Sequence, residues 1–161
     1  MTKPPEAAYW LALTYDGSLK LAHVKSLITA WCLDEGEPLA ALFELPPERI
    51  AAQFGLAPEE AQQVISCAER APAQARRLAR WKGEGVLLLT RADPHYPRAL
   101  VRWFPPEMQP LLLFFQGDVR MLGQPSAAVI GARDAGVEMV GFARELSTLL
   151  AEEGLVVVSG L

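Results

Sequence analysis

Apolar and polar residues alternate along this chain in two different rhythms, and the change falls near Gly83-Glu-Gly85. Up to Trp81 the apolar positions recur at helical spacing, in short runs broken by glycine and proline. Ala7 to Tyr15 predicts a first helix, Leu19 to Leu33 a second and Glu37 to Phe43 a third. Pro46-Pro47 opens a fourth, proline being favoured in a first helical turn, and Gly55 ends it. Ala57-Pro-Glu-Glu60 starts what should be the longest helix, with two acids where the helix dipole prefers negative charge. A further helix to Trp81 carries Arg76, Arg77 and Arg80. After Gly85 the runs shorten and become continuously apolar. Val86–Thr90, Leu111–Phe115, Ala127–Ile130 and Leu155–Val158 read as strands, each bounded by glycine, proline or aspartate. A helical turn is expected over Ala99–Trp103, and a long helix over Val137–Glu153 stopped by Gly154.

The long helix can be argued closely. Met139, Val140, Ala143, Leu146, Leu149 and Leu150 form one stripe of a 3.6-residue period, opposite Glu138, Arg144, Glu145 and Glu152. The flanking strands are apolar throughout, as expected of strands covered on both faces, and the connection is ample for a parallel crossover. Strands alternating with a helix predict an α/β fold with parallel pairing. It is preceded by a small all-helical module of the SAM or helix-hairpin-helix kind. The domain boundary is placed at 82/83, giving a helical module over 1–82 and the α/β part over 83–161.

Composition narrows the class. Hydrophobic residues make up 51% of 161, which supports a packed core and excludes whole-chain disorder. No apolar run approaches the roughly 18 residues of a membrane span, and no secretion signal is read at MTKPPEAAYW. Cys32 and Cys67 lack metal spacing and are expected as reduced, half-buried thiols of a cytoplasmic protein. The net charge of −4 hides a division. Residues 70–102 carry eight basic side chains (Arg70, Arg76, Arg77, Arg80, Lys82, Arg91, Arg98, Arg102) against two acidic ones, Glu84 and Asp93. A local basic patch is what counterion release from nucleic acid requires, so the acidic whole-chain balance does not exclude DNA. The competing reading is a solvated helix face.

The candidate chemistry sits where the third strand ends, in AAVIGARDAG, Ala127–Gly136. Gly131 lets the backbone bend sharply and approach a ligand. The amides beyond it and the helix N-terminus favour an anion. The turn lacks the Lys and Ser/Thr of a P-loop and the glycine pattern of dinucleotide folds, and the next strand ends in Ser159-Gly160 rather than an acid. Mg-triphosphate and NAD are therefore disfavoured, and no cofactor is expected. What remains is a set of backbone donors and one guanidinium, Arg133, able to grip a phosphate or stack on a base. Alternatively Arg133 holds a carboxylate such as Asp134 or Glu138. Ser159-Gly160 would lie beside the turn if the two strands are neighbours.

Four ordered stretches resemble the DNA-processing protein A family (DprA/Smf). They are Asp93-Pro-His-Tyr-Pro-Arg-Ala-Leu100, Pro105-Pro106 through Leu113-Phe-Phe-Gln-Gly117, Ala128-Val-Ile-Gly-Ala-Arg133, and Gly154-Leu-Val-Val-Val-Ser-Gly-Leu161. The resemblance implies an extended Rossmann-like domain after a SAM-like module, and single-stranded DNA as ligand. It further implies loading of a RecA-type recombinase in DNA uptake, natural transformation and recombination, and a cytoplasmic homodimer. Carried over, Gly131 and Arg133 match the family's turn, Ser159 and Gly160 its second loop. Ala132 stands where the family usually has Ser, which removes a hydroxyl and keeps the amide. The family continues past the position of Leu161, so a fragment is expected.

The DNA-binding candidates are therefore Gly131, Ala132, Arg133, Ser159 and Gly160, with Arg76, Arg77 and Arg80 extending the track. No catalytic constellation and no metal site is read. His95, between Pro94 and Tyr96, is expected as a turn residue, and Trp10, Trp31, Trp81 and Trp103 as core-filling aromatics. Two other functions stay open. One is a Rossmann-like nucleotide sensor or phosphoribohydrolase-like protein, the other a protein-interaction module without DNA affinity.

Overall fold

A computed structural model describes residues 3–15 and 19–160. The chain divides into two compact units, Met1–Gly117 and Asp118–Leu161. The boundary read at 82/83 falls inside the first unit, because compact packing and the change in sequence texture are different criteria.

The first unit holds α1 (Glu6–Tyr15), α2 (Leu21–Ile28), α3 (Leu39–Leu42), α4 (Pro47–Phe54), α5 (Pro58–Ala68) and α6 (Ala71–Gly83). It continues with β1 (Val86–Thr90), α7 (Arg98–Trp103) and β2 (Leu112–Gln116). The second helix expected to Leu33 instead changes at Thr29 into a π-wound turn through Asp34, which carries Trp31 and Cys32 into the core. α5 has 11 residues and α6 has 13, so the segment opened by Ala57 is not the longest helix. Glu60 takes the backbone N–H of Ala57 at 3.1 Å, half of a capping box, since Ala57 has no side-chain acceptor. Gly55 ends α4 with φ 62°, the left-handed cap that glycine allows without a Cβ penalty.

α1 is the centre of this unit. Ala8 to Leu13 are six consecutive buried residues, as in a helix surrounded on all sides, and α2, α3, α5, α6 and β1 all pack on it. Around it lie Val24, Leu27, Ile28, Leu39, Leu42, Ile50 and Val64. Cys32 and Cys67, expected half-buried, are both buried. Trp10 and Trp31 do fill the core, whereas Trp103 is 73% exposed.

β1 and β2 pair antiparallel, with Leu88 opposite Phe114. The parallel pairing expected after residue 83 therefore does not hold here. The connecting segment explains it. Arg91 N–H donates to Leu111 O at 2.9 Å and the Tyr96 hydroxyl to Pro110 O at 2.6 Å. These bonds close the loop at its base and return the chain beside the end it left. The Phe114 ring meets Trp81 of α6 edge-on at 5.3 Å and Tyr15 of α1 at 6.0 Å, and Leu111 and Leu112 pack on the helical core.

The second unit holds β3 (Ser126–Val129), α8 (Val137–Glu152) and β4 (Val156–Ser159). β3 and β4 pair parallel, Ser126 opposite Val156 and Val129 opposite Ser159, and α8 packs on both. This is the βαβ unit expected from the pattern. Its coverage is not: among the described residues of this unit none is buried. Ala143, Leu146 and Leu150 are half-buried, while Met139, Val140 and Leu149 of the same stripe stand exposed. Two strands make a sheet too narrow to cover the whole stripe.

Candidate nucleic-acid interface

The parallel register decides the geometry of the site. With Val129 opposite Ser159, Gly131 and Gly160 leave the sheet at the same, carboxyl-terminal edge. In open α/β sheets this is the edge outside which ligands are held. The structure thus brings Gly131, Ala132 and Arg133 together with Ser159 and Gly160.

From Gly131 the chain runs through a turn at Arg133-Asp134 to Gly136, the N-cap of α8. Gly136 offers no side-chain cap, so the amides of Val137, Glu138 and Met139 open the helix without a side-chain acceptor. A Cβ built at Gly131 or at Gly136 meets nothing within 4 Å, which leaves the backbone open to approach. Ala132 is exposed, its amide available and its methyl group contributing no donor. The Ser159 hydroxyl donates to Gly160 O at 3.1 Å.

Arg133 is exposed, and among the described residues no carboxylate lies within ion-pair distance of it, Asp134 and Glu138 included. Arg120 makes the contrast. Its guanidinium reaches Asp118 at 2.6 Å and its backbone N–H donates to the same carboxylate at 2.9 Å. Those two bonds hold the Asp118 carboxyl down at about 2. Of the three arginines of the second unit, Arg120 is committed to its own turn and Arg133 is not.

Arg76, Arg77 and Arg80 belong to the first unit, all exposed on α6. Arg77 lies over the Trp81 ring at 5.7 Å, and Arg80 stands 3.8 Å from Glu84, an exposed i,i+4 pair of small energy. Arg91, Arg98 and Arg102 belong to the basic stretch but not to the binding residues expected from the sequence. They line one cleft of about 360 Å³ beside α7, with Asp93, Tyr96 and Val101. The available signal was the i,i+4 spacing of Arg98 and Arg102 on one helix face.

His95 sits in a turn as expected, its backbone N–H donating to Asp93 at 2.8 Å. Among the described residues no group of three or more His, Cys, Asp or Glu could hold a metal ion, and no helix is long and apolar enough to cross a membrane.

Residues 87–161 match the model of a family described as DNA recombination-mediator protein A. No curated protein and no solved structure matches the chain.

Proposed function

Through residues 87–161 the chain belongs to the DNA recombination-mediator protein A family, and from that membership we propose that it binds single-stranded DNA and helps load a RecA-type recombinase on it. Membership places the chain with DNA processing and recombination in general. The finer reading rests on one observation, the parallel register that sets Arg133 and Ser159-Gly160 at one sheet edge beside the open start of α8.

Phosphates are gripped there by the amides from Gly131 onward and by the Arg133 guanidinium, which has no carboxylate partner among the described residues. A backbone donor reads no base, so the grip is independent of sequence. Arg76, Arg77 and Arg80 contribute long-range attraction, screened beyond about 8–10 Å at ordinary salt. The protein acts as a binding factor rather than an enzyme, as a homodimer in the cytoplasm, with 1–82 as the SAM-like module and 83–161 as the DNA-binding part.

Fluorescence anisotropy with labelled oligo-dT and its duplex, across a salt series, tests this. Single strands should bind better than duplex, with a log–log slope of about −0.7 per phosphate neutralised. Arg133→Ala should weaken binding about tenfold or more, the worth of one charge-assisted hydrogen-bonding group. Affinity indifferent to Arg133 would reject the grip. Preferential binding of a mononucleotide would point to a nucleotide sensor, and no affinity for either to an interaction module.

A further inference from the structure

The cleft beside α7 concentrates positive charge on a braced loop. Arg98 and Arg102 are four residues apart on α7 and both line it. Arg91 enters from the end of β1 and lies 5.0 Å from the Tyr96 ring centroid. Its Nη2 stands 3.5 Å from the Gln109 side-chain oxygen, and its Nε has no acceptor among the described residues. Against three guanidinium groups stands one acid, Asp93, whose Oδ1 accepts from the His95 backbone N–H at 2.8 Å and faces the His95 ring at 3.2 Å. No ion pair among the described residues takes up Arg98 or Arg102.

The walls are held in place. Gln109 donates to Phe104 O at 2.8 Å and to Val101 O at 3.2 Å, locking the end of α7. The Tyr96 hydroxyl ties the opposite wall to Pro110. Such bracing reduces what ordering a ligand costs. Next in sequence to Arg102, whose guanidinium lies 5.1 Å from its ring centroid, the Trp103 indole is 73% exposed. A large aromatic left in water beside a cation is a surface on which a base can stack, worth about 1–3 kcal/mol per base in single-strand binders.

We propose that this cleft is a second contact for single-stranded nucleic acid: Arg91, Arg98 and Arg102 take backbone phosphate, and Trp103 stacks the adjacent base. The assignment rests on the single-strand reading of the chain, but not on the turn at Arg133. Phosphate accounts for three donors of one sign, and the exposed indole accounts for a nucleotide rather than free phosphate.

The test is a titration of the nitrogen-labelled chain with a short oligo-dT strand, followed by NMR at the backbone amides and at the arginine Nε–H and tryptophan indole N–H groups. Arg98→Ala, Arg102→Ala and Trp103→Phe variants assign the signals. Shifts at Arg98, Arg102 and the Trp103 indole, retained in Arg133→Ala, are the expected result. Arg98→Ala with Arg102→Ala should also flatten the log–log salt slope by about 1.4, two phosphates at 0.7 each. Shifts confined to residues 131–138 and 159–160 would overturn the cleft and keep the proposed function. Shifts confined to the cleft would support it and overturn the grip at the turn. An absence of shifts anywhere would overturn both.

Discussion

Cys32 shows how far a single side chain depends on its neighbours. Burial pushes its thiol up to about 12, helped by the negative charge of Glu6. The raised value means that Cys32 contributes stability which is fully present below the unfolded thiol value near 8.5 and is lost as pH rises toward 12. Less than about one molecule in a thousand would be thiolate at pH 8.5. Iodoacetamide at that pH should therefore leave Cys32 unmodified in the folded chain and label it after denaturation, read by peptide mass. Rapid labelling without denaturant would contradict the burial. The sequence led to the expectation of a reduced, half-buried thiol, and the structure buries it. At Arg133 the same limit applies. Two candidate carboxylates, Asp134 and Glu138, lie close in sequence, and only the turn's geometry shows that neither reaches it.

Elements differ in how much of their stability is local. α3 has four residues, too few to form alone, since helix nucleation is costly. The Glu6 carboxylate supplies what its own N-cap, Pro38, lacks: it accepts from the Leu39 and Ala40 amides and from the Trp10 indole at 3.1 Å. A residue more than 30 positions away thus caps the helix, and no local capping signature could announce it. Glu6→Ala should lower unfolding stability by about 1 kcal/mol, the usual worth of a cap, with Glu6→Gln losing less. Urea unfolding measures it, and an unchanged midpoint would show the cap to be ornamental. The β1–β2 pair makes the same point. Its strands were legible as apolar runs, but their antiparallel direction follows from the bonds that close residues 91–111, which involve side chains as well as backbone.

At the scale of the whole molecule the two units are unlike. The first has a continuous buried cluster around α1, and the second has no buried residue among those described. Ile130 and Val137 are 89% and 91% exposed there. Local opening is controlled by buried apolar contact, so hydrogen exchange should be slowest in α1 and α5 and orders of magnitude faster in β3, α8 and β4. Equal protection in both units would mean that the second gains burial not present in this structure.

The spacing of apolar residues by itself determined most elements, the βαβ order of the second unit and the turn that carries Arg133, because period and punctuation are local properties of a chain. Residue identities, not spacing, carried the resemblance in the ordered motifs from Asp93 onward, which the match over residues 87–161 bears out. Tertiary structure alone decided the direction of β1 against β2, the cap that Glu6 lends to α3, and the convergence of Arg91, Arg98 and Arg102 on one cleft. Each of these joins residues separated along the chain, and a pairing across such a gap is set by which surfaces bury each other, a quantity no single stretch of sequence contains.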